Sequence, residues 1–349
     1  MTAGIMRWAV ARRLALLCVV LAATAQAQGL FRDTKPLLVT ITTDLRAVVR
    51  DRDSTKFAPH PATLTYRTDS TSPPRSFPVT LRARGHFRRQ ARNCGFPPLK
   101  LEFARADART TLFQGNDELK IATTCRPGSA DYEQYVLAEY ALYRHYQAVS
   151  PRHFRTRLAR ITYHDSTRAS DDVVSWAFFV EEDREVAKRF ASVVDTSRGA
   201  LFRDLEPRQL AITSLFQYLV ANTDWSISAL HNVSLLRDST GQVHPVAFDF
   251  DWSGAVNARY ARPDARLEIQ STTVRLYRGP CLDAAAWRPT LARFLAARPA
   301  IEAVYDSLPG LDPQRARTMR AYLGEFYRTI SDPKLAQRAL GSTCLPEGN

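Results

Sequence analysis

The apolar residues of this chain alternate at first and then change their period, and that change limits the folds open to it. In the first third they alternate. Leu37 to Thr42 (LLVTIT), Ala62 to Arg67 (ATLTYR), Phe77 to Arg84 (FPVTLRAR), Leu99 to Phe103 (LKLEF) and Leu119 to Ala122 (LKIA) are short, β-branched runs of period two, the pattern of half-buried strands. From Asp131 to Val149 the spacing becomes three and four: Tyr132, Tyr135, Val136, Tyr140, Tyr143 and Tyr146 fall on one face. This predicts an amphipathic helix capped near Ser129 or Asp131. Its tyrosine stripe reads as core packing rather than as a cofactor box.

Strands resume at Arg157 to Tyr163 and Val174 to Val180, and Glu181 to Phe190 reads as a short charged helix. Pro207 to Ala221 is a helix with Ile212, Leu215, Phe216, Leu219 and Val220 on its buried side. Asn232 to Arg237 and Val243 to Phe250 form a hairpin around Asp238-Ser239-Thr240-Gly241. The tail is helical, with Ala284 to Ala303 expected to break at Pro289 and Pro299, and Asp312 capping a helix that has Pro313 in its first turn. This order predicts an α+β protein of two lobes with a cleft between them. Residues 28–180 would form the β-rich N-terminal lobe. Residues 181–349 would form a mainly helical C-terminal lobe holding the hairpin.

Residues 1–27 have the three parts of a secretory signal. Arg7, Arg12 and Arg13 are followed by an apolar run from Leu14 to Ala23 and a small-x-small site at Ala25-Gln26-Ala27. The run is about half of the roughly 20 apolar residues that a spanning helix needs. No later stretch is apolar enough to span, so no transmembrane segment is expected after cleavage. Secretion or a periplasmic location follows. Of five cysteines, Cys18 leaves with the signal, and Cys94, Cys125, Cys281 and Cys344 remain. An even count in an exported chain suggests disulfides, with three pairings open. Sequence order favours Cys94–Cys125 and Cys281–Cys344. No CxxC or HxxxH spacing supports a zinc site.

Removing the signal lowers the formal net charge from +13 to +10. Arginines cluster from Arg82 to Arg92 (RARGHFRRQAR) around a glycine. Such a face favours nucleotides, phosphates, lipid headgroups or nucleic acid, and export argues against nucleic acid. His86, His153, His164 and His244 are isolated and read as surface or structural residues. No GxSxG, Walker-type loop or HExxH occurs, which leaves serine hydrolase, P-loop NTPase and zincin readings without support.

The densest polar group lies where a buried helix ends and the hairpin begins: Ala221-Asn222-Thr223-Asp224-Trp225, His231-Asn232 and Phe248-Asp249-Phe250-Asp251. A hairpin brings Asn232 and Asp249 to one end, near Asp224. Hard oxygen ligands of this kind suit Mg²⁺, which binds through one or two carboxylates plus substrate phosphates. A further carboxylate can accept a proton from an attacking hydroxyl. Phosphoryl transfer uses these parts together with a cation on the phosphates. Asp and Asn also populate turns, but an Asp-Phe-Asp ending an apolar strand is costly unless its acids are paired or bound to metal.

With Arg84-Gly85-His86-Phe87-Arg88, Leu99-Lys100-Leu101-Glu102-Phe103, Glu181-Glu182-Asp183, Asn222-Thr223-Asp224, His231-Asn232 and Asp249-Phe250-Asp251 in this order, the chain resembles the CotH kinase-like family of atypical protein kinases from about residue 36 to 255. The resemblance implies a two-lobed, protein-kinase-like fold. It implies transfer of the γ-phosphoryl of ATP to a hydroxyl of a protein in the envelope or extracellular space, with ATP and Mg²⁺ as cofactors. Asp224 would be the catalytic base. Asn232 and Asp249 would hold Mg²⁺, with Asp251 beside them. Lys100 or Lys120 would contact ATP phosphates, Glu139 would pair with one of these lysines, and Arg84 and Arg88 would touch phosphate. The acidic turn that opens at Glu181 would border the nucleotide. A second reading, of a different class, is a non-catalytic envelope protein that binds an anionic partner through its basic face.

Overall fold

Seven strands turn alternate side chains to one side, and those side chains meet one another. The structure is a computed structural model that describes residues 29–53 and 55–346; the signal segment 1–27 lies outside the described residues. The strands are β1 (Leu37–Thr43), β2 (His60–Arg67), β3 (Arg75–Ala83), β4 (Leu99–Glu102), β5 (Glu118–Ala122), β6 (Thr156–Asp165) and β7 (Val173–Val180). They form a closed barrel in the order β1-β2-β3-β4-β5-β7-β6. Closure comes from β1 pairing with β6 in parallel, Leu37 opposite Ala159 through to Thr43 opposite Asp165. Every other pairing in the barrel is antiparallel. Val39, Ile41, Leu64, Leu81, Leu99, Leu101, Leu119, Ile121, Ile161 and Phe179 fill the interior. Phe113 packs against Phe77, Phe103 and Phe179, and Phe103 against Phe77, at 5.5–5.9 Å between ring centres. Short helices α1 (Leu45–Arg50) and α2 (Arg105–Ala108) lie between strands.

This closed barrel overturns the expected two-lobed, kinase-like plan. Alternation identifies strands and the face each one buries. It does not say which edges will meet. The β1–β6 pairing joins segments far apart in sequence, so no local signal announces it.

The remaining elements are α3 (Ala130–Val149), α4 (Asp183–Arg189), α5 (Pro207–Val220), α6 (Ala284–Ser307), α7 (Pro313–Ser331) and α8 (Pro333–Gly341), with a small sheet of β8 (Ser192–Asp195), β9 (Val233–Asp238) and β10 (Val243–Ala247) in the order β10-β9-β8. Helix α3 touches β6 and β7 on one side and α5 and α6 on the other. That explains why burial extends beyond the tyrosine stripe to Leu137, Ala138, Glu139, Ala141, Leu142 and His145. His145 is fully buried, neither ring nitrogen has a hydrogen-bond partner, and burial pushes its pKa down to about 3.

Helix α6 runs unbroken through Pro289 and Pro299, against the expected breaks. Both prolines are exposed, while Trp287, Phe294, Ile301 and Tyr305 face the core. The carbonyls freed by the missing N–H groups therefore lie on the wet side, where water can bond them.

Cys94 is bonded to Cys125 and Cys281 to Cys344, as sequence order favours. The first bond ties the Arg-rich loop after β3 to the segment that leaves β5. The second holds the tail, where Leu345 N–H also donates to the Gly279 carbonyl at 2.9 Å. No helix among the described residues is long and apolar enough to cross a membrane. The bonded pairs are 31 and 63 residues apart, so in the chain-entropy picture each bond contributes about 3–4 kcal/mol. Chemical denaturation of the oxidised protein and of its reduced, alkylated form should differ by at least this much; equal midpoints would show that the cross-links do not constrain the unfolded chain.

Candidate functional site

The exit of α5 fixes the first acid. The helix starts at Pro207, with the Glu206 side chain accepting from the Arg208 and Gln209 N–H groups at 3.1 and 2.6 Å. It ends at Ala221, whose φ of 50° is left-handed. Buried Asn222 then binds back to the helix: its N–H donates to the Gln217 carbonyl at 2.8 Å and its Nδ2 to Gln217 Oε1 at 3.0 Å. Its Oδ1 accepts the Asp224 N–H at 3.0 Å. The carboxylate of Asp224 is held on both oxygens, by His231 Nε2–H at 2.9 Å and by Asn232 Nδ2–H at 3.0 Å. Asn232 Nδ2 also donates to the Asp224 carbonyl at 2.7 Å. The side chain of Asp224 remains 36% exposed, so it is oriented yet open to solvent.

The hairpin places the next two acids. Ala247 lies opposite Val233, and Phe248 N–H donates to the Asn232 carbonyl at 3.1 Å. Asp249 follows with φ of 61°, its N–H donating to Tyr143 Oη at 2.9 Å. Phe250 is fully buried against Tyr143 and Phe216, at 4.9 and 5.2 Å between ring centres. An anchored aromatic ring thus separates Asp249 from Asp251. The backbone N–H groups of Gly254 and Ala255 donate to the Ala221 and Val220 carbonyls, both at 3.0 Å, which binds this segment to the α5 exit.

Asp251 is buried, accepts from the Tyr260 hydroxyl at 3.0 Å and lies 3.7 Å from Arg88 Nη1. Arg88 reaches it from the loop after β3, where it also donates to the Thr123 carbonyl and stacks 5.9 Å from the centre of the Tyr260 ring. Glu139 enters from α3 and is buried. Burial raises its pKa well above the usual carboxylate range, the charges of Asp251 and Asp249 add to that, and Arg88 and Arg84 oppose it. Burial, then the charge of Asp249, pushes Asp251 up to about 7 despite Arg88. Backbone strain concentrates in the same place. Of eight non-glycine residues with positive φ among the described residues, Ala221, Leu230, Asn232 and Asp249 all border this site. Such conformations cost about 1–3 kcal/mol each and persist where the surroundings over-determine them.

Asp224, Asn232, Asp249, Asp251, Glu139 and Arg88 are therefore brought to one region from four separate segments. Arg84 donates through Nε to the Leu99 carbonyl at 3.3 Å, and its charge is felt by Glu139 and Tyr143. The lysines lie outside this cluster. Arg82, Lys100 and Lys120 stand side by side on the outer face of β3, β4 and β5, each neutralised by an acid: Arg82 by Glu102 at 2.8 Å, Lys100 by Glu118 at 2.5 Å and Lys120 by Asp183 at 2.7 Å. Glu139 makes no ion pair with either lysine. Its cationic neighbours are the arginines. Glu181 is occupied structurally, bound by Arg189 at 2.8 Å and by the Arg155 N–H at 3.0 Å. Lys120 lies 5.3 Å from the centre of the Phe248 ring, beside a groove of about 750 Å³ walled by Val194, Val233, Leu235 and Phe248 and rimmed by Glu182 and Asp183.

Two residues of the site, Tyr143 and Tyr260, escape sequence reasoning, and a third, His231, is singled out in sequence without a role. Tyr143 is one member of a stripe read as core, and its hydroxyl alone reaches the site. Tyr260 lies in a loop without periodicity. His231 stands next to Asn232, and that adjacency was the available signal for it.

The donor chemistry fits Mg²⁺ in part. Buried Glu139 and Asp251 and part-buried Asp249 face one close guanidinium among the described residues, a crowding that a divalent cation would relieve. Among the described residues no three His, Cys, Asp or Glu side chains assemble into a ligand group. An ion here would therefore rest on Asp249 and Asp251, with the Asn232 amide nearby, and on oxygens from a ligand. Comparison with protein-family models, with curated proteins and with solved structures finds no match.

Asp251 carries a pH consequence. Its folded pKa of about 7 lies above the ordinary value near 4, so its contribution favours the folded state at low pH and is lost as pH rises from about 4 through 7. His145, held low at about 3, works in the opposite sense below pH 6.5. The difference between parent and Asp251→Asn isolates the aspartate. In EDTA, the stability of Asp251→Asn relative to the parent should rise from pH 5 to pH 8. A difference that stays flat across this range would mean that Asp251 ionises normally.

Proposed function

We propose that this protein is an exported phosphotransferase that moves the γ-phosphoryl of ATP to a hydroxyl of another protein. The observation that carries the reading is the pairing of two unlike acid environments. Asp249, Asp251 and Glu139 share a crowded region with one close guanidinium, while Asp224 stands beside them, half-exposed and oriented on both oxygens. Acids forced together at this cost are what a site for a cation and phosphates provides. The site alone supports this reading, since the closed barrel lends it no analogy of fold.

The roles follow from the geometry. Asp224 is accessible, and its carboxylate is aimed by His231 and Asn232, so it accepts the proton of an acceptor hydroxyl as that oxygen bonds to the γ-phosphorus and ADP departs. Asp249 and Asp251, with Asn232, would hold Mg²⁺, which when bound offsets phosphate charge. Arg88 balances the acids before a ligand arrives. The groove beside Phe248 offers apolar walls for a flat heterocycle, one residue in sequence from Asp249. Two disulfides, with the signal-like start of the sequence, support an extracytoplasmic setting.

Asp224→Asn and Asp249→Asn separate the roles. Asp249→Asn should lose Mg·ATP binding and turnover together. Asp224→Asn should bind Mg·ATP like the parent and lose turnover about 10²–10⁴-fold, the range of acid–base contributions. Calorimetric titration with Mg·ATP and transfer of labelled phosphate to a generic acceptor or to the protein itself measure both. A parent protein that neither binds Mg·ATP nor transfers phosphate sinks the proposal and favours the non-catalytic, anion-binding reading.

A further inference from the structure

A second pocket opens at Asp224. Its volume is about 760 Å³, and Asp224, His231, Trp252, Arg262, Arg266 and Arg278 line it. The charge balance of this lining is uneven. Arg278 Nη1 donates to the Thr223 and Trp225 carbonyls at 2.6 and 3.3 Å, so its guanidinium is fixed to the very turn that carries Asp224. Arg262 donates to the Arg259 and Ala261 carbonyls at 2.9 and 2.7 Å. Among the described residues neither forms an ion pair with an acid. Arg266 does pair with Asp264, two residues before it, but its side chain is 88% exposed, and a surface pair of this kind is weak enough for a ligand carboxylate to displace. The pocket's own acids do not balance the three guanidinium groups. Asp264 is shared with Arg266, and Asp224 is engaged by His231 and Asn232.

Resting on the function proposed above, we infer that this pocket receives an acidic residue of the acceptor protein, so that the hydroxyl presented to Asp224 belongs to a Ser or Thr in an acidic segment. A guanidinium held by two carbonyls presents its remaining N–H groups in a fixed plane, and a carboxylate matches that plane with two parallel hydrogen bonds. A lysine-rich acceptor would meet like charge in the same place. Trp252 adds a flat wall on which the peptide can lie. The nucleotide reading of these arginines is disfavoured by position: the carboxylates suited to a metal and the apolar groove belong to the Asp249 and Phe248 side, whereas the arginines border Asp224.

Two labelled peptides of equal length, a serine flanked by glutamates and the same serine flanked by lysines, test this by fluorescence anisotropy with the full chain in Mg²⁺ and a non-hydrolysable ATP analogue. The acidic peptide should bind at least about tenfold more tightly, and the gap should narrow with salt. Arg266→Glu and Arg262→Glu, both on the surface, should each remove most of that gap. Equal affinities for the two peptides overturn the inference. So does an Arg266→Glu protein that keeps the parent's preference, or one that loses affinity for the nucleotide rather than for the peptide. If the acidic peptide binds but Mg·ATP titration gives no heat, the phosphotransferase reading fails while the pocket remains a site for acidic segments. If Mg·ATP binds and the peptides are not distinguished, only the present inference fails.

Discussion

Three carboxyl groups that repel one another set the terms for the centre of this molecule. Glu139, Asp249 and Asp251 come from a helix and a hairpin end, and among the described residues Arg88 is the one guanidinium within 4 Å of them, through Asp251. Burying like charges is costly unless they are paired or take up a proton, so other contacts must hold the backbone that keeps them together. Much of the surrounding architecture does so. Phe250 is wedged between Tyr143 and Phe216, the Gly254 and Ala255 amides are bound to the end of α5, and Tyr143 takes the Asp249 N–H. The loop that carries this arginine is tied down by the Cys94–Cys125 cross-link. Most of these supports act on backbone or on an apolar ring, while Arg88 and the Tyr260 hydroxyl act on the Asp251 carboxyl itself.

What the sequence revealed follows from the range of the forces involved. The strands, the tyrosine-striped helix, the hairpin and both cysteine pairings were visible because each is set within a few turns of chain or by simple order along it. Barrel closure was not, since β1 and β6 meet across the whole of β2 to β5. The prolines of α6 misled for a related reason. Pro289 and Pro299 carry a local helix-breaking signal, and whether it prevails depends on which side of the helix faces water, a tertiary fact.

The candidate site divides along the same line. Asn232 and Asp249 were expected at one hairpin end, and the ladder of β9 and β10 brings them there. Asp224 is joined to Asn232 by two hydrogen bonds. Lys100 and Lys120 are prominent in their strands, but the outer barrel face supplies Glu118 and Asp183 as partners, and no spacing rule reports that. Glu139 was expected opposite a lysine and instead stands near Arg84 and Arg88, which come from a loop whose path the alternation pattern does not describe.

The parallel pairing of β1 with β6 also bears on how the chain reaches this structure. A barrel sealed by its first strand cannot be completed as the chain emerges. Until β6 is present, β1 has β2 on one side and an open edge on the other, with Leu38 and its neighbours exposing unpaired amides. Such edges recruit other chains, and contacts of long sequence separation form late. A polypeptide of this design therefore spends its early life with one unsatisfied border, and dilution or a protective companion during synthesis matters more to its yield than the strength of the finished core.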